Sequence, residues 1–568
     1  MKRFLIFLLP VAALLAPRPV AAQITPDQAA EMLLSSARKA FNERNHPFAV
    51  NKFREFLGKF GGHKDAPAAR FGLALCLIEG PEKNYNEARD LLQQVVGVKD
   101  FADHDRAVYQ LALALRGQGT QSLQLALAKS GDVAAHRNNA KARFEETEKQ
   151  LLVARAAFEK KLPAEAPDKK ELPPEFEWVA RVRCDQAENY LRLNKTKEAR
   201  DAVAVFLDDP IFSRSKIKGE GRYYLGFASH LLKDYPTAEK ALSRLAPFDD
   251  PAFGPHAHYL LGRTHHLAEE RGEAAHHYEA VLTDHAKRRD EASKLLKEPA
   301  RFKNDPVIRA QLEAFLKETP DYLARASFYL GVLQYEAGRF AEAQARFVDF
   351  QKTFLFSPLR SEAELRLGFC LYQIKNFPEA VKTLSPLVDR DPRLADQALL
   401  WIGRCQVAGA PDPVAQKDNY QKAMSQALST FRQAADRAQK IIDADPEARL
   451  RKGQIMLEIA DTQQLLKQHR EAAGAYGQIL NEKLLPDRVE ETWERMIQAL
   501  HLAGDFNESD NQATKFLAAF PKSPLAPEVG FLQAENSYFR GLAAEKNPNP
   551  AERTKEVARW NDEAIKRL

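Results

Sequence analysis

Seven of the chain's 14 histidines fall between residues 256 and 285: His256, His258, His265, His266, His276, His277 and His285. Imidazole is the commonest metal ligand, and a metal site needs three or four such groups or carboxylates converging, with partners behind them. The same ring changes charge near neutral pH. Three chemistries are therefore open to this segment: metal or small-ligand binding, pH-responsive contact with a partner, and ordinary core or surface packing. Cys76, Cys184, Cys370 and Cys405 are too few to staple a chain of 568 residues and read as small buried hydrophobes. No Gly-x-x-x-x-Gly-Lys-Ser/Thr, His-Glu-x-x-His, Gly-x-Ser-x-Gly or Cys-x-x-Cys occurs, and no Gly-x-Gly-x-x-Gly follows a strand pattern. Carboxylates are scattered over helix faces. The sequence assigns no catalytic residue, cofactor or metal ligand, and the chain reads as non-enzymatic.

The elements that carry these residues repeat. A small residue is followed twelve positions on by Ala and four further by a large apolar residue. The triplets are Ala37, Ala49, Phe53; Ala187, Ala199, Val203; Gly226, Ala238, Leu242; and Gly262, Ala274, Tyr278. They continue with Gly331, Ala343, Phe347; Gly368, Ala380, Leu384; and Ala460, Ala472, Tyr476. A third apolar residue often follows three later, as in Phe53/Phe56 and Phe347/Phe350. Spacings of three and four put side chains on one helical stripe. Small residues fit where two helices cross closely, because a larger substituent at Cβ would push the axes apart. Turn-prone stretches separate the helices: Asn45-His46-Pro47, Lys233-Asp234-Tyr235-Pro236, Ala337-Gly338-Arg339 and Lys375-Asn376-Phe377-Pro378.

This pattern resembles the tetratricopeptide repeat family, whose signature runs Leu-Gly-x-x-Tyr, then Ala-x-x-x-Phe, then Pro. The clearest matches are Leu330-Gly331 through Phe347 and Leu367-Gly368 through Pro392. The runs Phe347, Phe350, Phe354, Ser357-Pro358 and Phe516, Phe520, Pro521, Ser523-Pro524 are similar to the bacterial envelope branch: the outer-membrane assembly lipoprotein and the periplasmic TolA-binding cell-division coordinator. The chain departs from the first in lacking a lipid-anchor cysteine and from the second in lacking a coiled coil ahead of the repeats. The resemblance implies an all-α, right-handed superhelical solenoid of antiparallel helix pairs.

It also implies which side chains line the concave face, at positions 2, 5, 9 and 12 of each first helix. Mapped here, the row is Tyr223, Phe227 and His230; His256, Tyr259, Arg263 and His266; Phe328 and Tyr335; Phe369 and Tyr372. Aromatic residues and arginine are what interface hot spots use, although the same rings suit packing between neighbouring first helices. Tyr259, Phe328 and Tyr335 are expected as anchors for an extended or helical peptide. His230 and His266 are expected to make affinity depend on pH between about 5.5 and 7.5. The Lys and Asn pairing of the family's chaperone-tail clamp is absent.

Lys2-Arg3, the apolar run Phe4–Ala16 and Val20-Ala21-Ala22 form the three parts of a secretory signal, with cleavage after Ala22. The apolar run is shorter than the roughly 20 residues of a membrane span. The mature protein is thus expected in the periplasm or the extracellular space, without lipid anchor or transmembrane segment. A net charge of +5 is too small to mark a nucleic-acid binder. The expected organisation is a signal peptide at 1–22, repeats at 23–116, a long helix and Pro/Lys/Glu linker at 117–175, and repeats at 176–285. A degenerate helix pair at 286–320, repeats at 321–526 and a partial repeat at 527–568 follow. The expected function is a scaffold holding envelope proteins or peptides along its groove. The alternatives are a structural, self-associating rod and metal or small-ligand binding at 256–285.

Overall fold

The computed structural model describes residues 25–163, 171–298, 302 and 306–568. The signal segment and residues 164–170 of the linker lie outside them. The chain divides into two compact units, residues 1–269 and 270–568. Among the described residues all regular structure is helical, and helices pack chiefly on their neighbours in sequence.

In the first unit α1 (Pro26–Asn42), α2 (His46–Phe60), α3 (Ala66–Glu79) and α4 (Tyr85–Val96) form two hairpins. They lead to a long one, α5 (His104–Leu127) against α6 (Val133–Glu159). Next come α7 (Pro174–Arg192), α8 (Thr196–Val203), α9 (Val205–Asp208), α10 (Lys218–Leu231), α11 (Tyr235–Ser243) and α12 (Gly254–Leu267). The long helix expected within 117–175 is α6. Residues 117–127, assigned with it to an insertion, are instead the second half of α5.

The second unit starts with α13 (Arg271–Leu296) and α14 (Pro306–Lys317), which pack together. Then follow α15 (Asp321–Glu336), α16 (Phe340–Thr353), α17 (Arg360–Gln373), α18 (Phe377–Leu384), α19 (Leu387–Arg390), α20 (Ala395–Ala408) and α21 (Lys417–Ile441). The chain closes with α22 (Glu447–Leu465), α23 (His469–Asn481), α24 (Val489–Leu502), α25 (Phe506–Ala519), α26 (Ala526–Ala544) and α27 (Pro550–Arg567). One expectation changes here. The first helical pattern of 286–320 is the C-terminal half of α13, because nothing between Arg271 and Leu296 breaks a helix: the stretch has neither proline nor an internal cap. The segment 527–568 forms two helices of 19 and 18 residues.

The triplet spacing has a direct physical meaning. A Cβ on Gly226 would lie 2.5 Å from Leu242 Cγ, and one on Gly368 would lie 2.4 Å from Leu384 Cδ2. The first and third members of these triplets, and Gly331 with Phe347 in the same way, therefore touch across the crossing of the two helices. Ala238 and Ala380, the middle members, are fully buried. A second regularity follows. The residue seven positions after each small residue sits in the left-handed region: Arg44, Asn194, Lys233, Glu269, Gly338, Lys375 and Lys467, at φ of +57° to +74°. The next residue's N–H reaches back five positions, as Asp234 to Ser229 O and Asn376 to Leu371 O, both 2.9 Å. This is the left-handed C-terminal cap that satisfies the last carbonyls of a helix. The chain then enters the second helix under Asn45 or Asp234, whose side chains accept from Phe48 N and Thr237 N.

Burial is divided among local clusters. In the first unit one runs from Ala30 to Leu115 and a second from Val108 to Ala241. In the second unit one runs from Leu399 to Leu500 around the fully buried Phe431 and Tyr476.

Candidate functional site

In the first unit the expected row forms one connected set. Gly226, crossed by Leu242, turns the opposite face of α10 away from its partner helix. The Tyr223 hydroxyl lies 2.8 Å from His256 Nδ1, and with a neutral ring it donates to that nitrogen. Phe227 meets the His256 ring edge-on at 5.6 Å, and His256 lies against Tyr259 at 5.9 Å. Phe253, ahead of α12, stacks on Tyr223 at 5.5 Å and 20°. His230 Nδ1 is 3.0 Å from the Thr264 hydroxyl, which itself donates to Leu260 O. His230 must then be the donor, which fixes the proton on Nδ1. Burial, with the charges of Arg263 and His256, lowers the His230 pKa to about 4. His230 thus stays neutral between pH 5.5 and 7.5 and is not the expected switch.

Beside this row lies a cleft of about 780 Å³, open to solvent, on which α7, α10 and the Asp250–Phe253 segment converge. Glu220, Tyr223, Tyr224 and Phe227 line it at helical positions i, i+3, i+4 and i+7. From α7 come Glu188, Leu191 and Arg192. Behind them Arg116 of α5 donates to Asp185 Oδ1 at 2.6 Å and Glu188 Oε2 at 2.5 Å, and the Tyr109 hydroxyl donates to Asp185 Oδ2 at 2.6 Å. Arg192 holds the other Glu188 oxygen at 2.6 Å. Burial disfavours the Glu188 carboxylate, yet Arg116 and Arg192 outweigh it and hold the carboxyl below its ordinary range. Glu220 is treated differently. Burial, then the negative charges of Asp185 and Glu188, raise its pKa to about 7. The sequence reading missed Glu220, because a single acid in the first turn of a helix is where the dipole places one anyway.

In the second unit Tyr335, Phe369 and Tyr372 come together around a residue the sequence reading passed over, Trp401 of α20. Its ring lies 4.4 Å from Phe369 and 5.0 Å from Tyr372. Arg404 stacks on it at 4.8 Å while donating to Glu458. Gln373 donates to the Tyr335 hydroxyl at 3.3 Å. Phe328 is different. It is 4% exposed and packs on Phe347 and Phe350 in the interior. Tyr259, at 5% exposure, is buried too, and so is Phe369. These three expected groove residues are packing residues, because neighbouring helices approach closely enough to cover them. Tyr223, Phe227, His230, His256, Arg263, His266, Tyr335 and Tyr372 are partly exposed.

His265 is buried, with a ring nitrogen within 4.8 Å of a Glu239 carboxylate oxygen. His258 is buried and stacks face to face on Phe248 at 4.1 Å, His276 and His277 meet edge-on, and His285 packs on Phe315. All four cysteines are unpaired and buried. Burial pushes the thiols of Cys76, Cys370 and Cys405 up to about 12, and that of Cys184 well above its ordinary value. No described helix is long and apolar enough to cross a membrane.

Comparison with known proteins agrees with the repeat reading over part of the chain. A tetratricopeptide repeat model matches residues 328–395, the stretch from within α15 to the start of α20. No curated protein matches the sequence. Among solved structures, the apo form of RapI is similar at 13% identity, over 73% of this chain and 99% of that one, with a TM-score of 0.41. Yeast Tom70 is similar at 12% identity, over 89% and 99%, with a TM-score of 0.28.

Proposed function

We propose that this protein is an exported, non-enzymatic scaffold that holds other proteins or peptides of a bacterial cell envelope on the exposed faces of its first helices. The observation that carries the reading is the half-exposed row of Tyr223, Phe227 and His256 beside an open cleft. Rigid aromatic side chains at the edge of a concavity are the usual anchors of protein recognition. The tetratricopeptide repeat at 328–395 supports protein partners, since such repeats generally serve as interaction modules. The basic, apolar and small-residue succession from Lys2 to Ala22 supports export. Photo-crosslinkers placed at Tyr223 and Tyr335 in living cells, with capture read by mass spectrometry, test the proposal. Partners should be captured there and not from the exposed outer position Asp201. Equal capture at all three positions would overturn it, and a native N-terminus retaining Met1 would remove the export part.

A second reading, self-association, is favoured by one observation: Phe531, Tyr538 and Leu542 of α26 are between 37% and 52% exposed, a run of large apolar side chains unusual on a surface. Sedimentation of the purified chain separates the two. A concentration-dependent dimer abolished by Phe531→Ser with Tyr538→Ser would establish it.

A further inference from the structure

The cleft of the first unit has a definite chemical character, and this inference rests on the scaffold reading above. Its walls are aromatic: Tyr223, Tyr224, Phe227 and Phe253, with Tyr223 and Phe253 stacked on each other. Its charges are unequal in a way that the hydrogen bonds make explicit. Both arginines near it are already committed, Arg116 to Asp185 and Glu188, and Arg192 to Glu188 and Thr120. Arg181, the other cation facing Glu220, stacks on Trp178. What is left over is negative. Asp250 spends one oxygen on the N–H groups of Ala252 and Phe253. The Glu220 carboxyl, among the described residues, is shaped only by burial and by charge, with no hydrogen bond to it.

We propose that this cleft seats the lysine or arginine side chain of a partner polypeptide, with Glu220 as its ion-pair partner and the faces of Tyr223 and Phe253 along its stem and head. An anion entering here would meet Glu220, Glu188 and Asp250. A neutral apolar side chain would fill the walls, cover the half-buried Glu220 carboxyl and leave it unmatched, which is costly. A long cationic side chain satisfies both features at once. Its methylenes lie on the rings, its charge is attracted to the ring faces, and its N–H groups give Glu220 the charge-assisted hydrogen bonds it lacks. The volume of about 780 Å³ exceeds what one side chain needs, so flanking residues of the peptide enter with it. Binding must also release a proton. The pairing takes the ionised carboxylate, and Glu220 is about half protonated near neutral pH. Affinity should therefore rise as pH goes from 6 to 8. The groups that set this are Asp185, Glu188 and Arg181 from α7 and Arg116 from α5.

The test uses the full-length chain and a library of random immobilised dodecapeptides. Binders should share a lysine or arginine, and the best of them is then labelled and titrated by fluorescence polarisation beside its norleucine or citrulline analogue. For the wild type at pH 8 the neutral analogue should bind about tenfold more weakly or worse, and the parent peptide should bind more weakly at pH 6 than at pH 8. In Glu220→Gln the two peptides should bind within about threefold, and the pH dependence should vanish. Asp250→Asn, which keeps the turn hydrogen bonds, serves as a second variant and should weaken only the cationic peptide. Binders without a common basic residue, or a charge preference unaltered in both variants, would overturn the cationic pocket and leave the scaffold standing. A library that yields no binder would overturn both.

Discussion

Replacing Glu220 with glutamine makes a prediction about stability that can be worked from the cleft. In the unfolded chain the carboxyl ionises at its ordinary value of 4.5, whereas in the folded protein burial and the Asp185 and Glu188 charges raise it to about 7. Between these values the folded state binds more protons than the unfolded state, so stability falls as pH rises from about 4.5 through about 7. The rise is worth at most about 3 kcal/mol, at about 1.4 kcal/mol per tenfold change. Solvent reaching the open cleft reduces this to about 1–3 kcal/mol. Glutamine is nearly isosteric with the protonated carboxyl and carries no charge. Glu220→Gln should thus leave stability nearly unaltered at pH 4 and raise it by about 1–3 kcal/mol at pH 8. For a unit of this size that is a gain of about 3–10 °C in melting temperature. Differential scanning calorimetry of the full chain, wild type against variant at the two pH values, reads it. An equal shift at both values, or destabilisation at pH 8, would refute the reasoning. A gain in stability paired with loss of cationic-peptide binding would show the charge being kept for function.

Further outcomes are expected elsewhere. Gly403→Ala should destabilise by about 1–3 kcal/mol, because its Cβ would lie 2.3 Å from Phe431 Cε1, whereas Gly474→Ala, with nothing within 4 Å, should stabilise by about 0.5–1 kcal/mol; urea unfolding compares them. Lys233→Gly and Lys375→Gly, at φ of +62° and +63°, should each be neutral to about 1 kcal/mol stabilising, and a clear loss would show the side chains matter beyond the turn. All four thiols should resist iodoacetamide at pH 8 until the chain unfolds, with mass spectrometry counting adducts. The His230 imidazole, held to about 4, should show no NMR titration between pH 5.5 and 7.5. Its depressed pKa should instead cost stability as pH falls from about 6.5 toward 4.

The helix pairs were legible because they are written in the contacts that make them. A glycine or alanine is required where Leu242 or Leu384 reaches across, so its spacing from that residue is set by the geometry of the crossing. The left-handed turn residue was less legible, since the conformation falls on lysine, arginine, glutamate or asparagine more often than on glycine. Helix length was misjudged where a fixed repeat length was laid over the charged stretch after Tyr278, which carries α13 onward without a stop. At the site, helical periodicity told which side of a first helix faces outward but not how deeply each position is covered. Tyr259 and Phe328 share the periodicity of Tyr223 and Tyr335, yet are covered by adjoining helices. Trp401 and Glu220 gain their importance from residues on other helices, which no local pattern contains.

The local clustering of the core has a consequence in time. Every member of the first cluster lies between Ala30 and Leu115, and the next needs nothing beyond Ala241. A chain emerging N-terminus first, from a ribosome or a translocation pore, therefore holds all the partners for its first apolar core after about a fifth of its length. The later clusters from Leu365 to Ile402 and from Ile497 to Leu532 can likewise close on arrival instead of waiting for a distant strand or helix, which keeps loop-closure entropy small and contact order low. Apolar helix faces then spend little time exposed before they are covered. For a protein of 568 residues, a size at which chains commonly pass through aggregation-prone intermediates, that schedule is itself a form of protection.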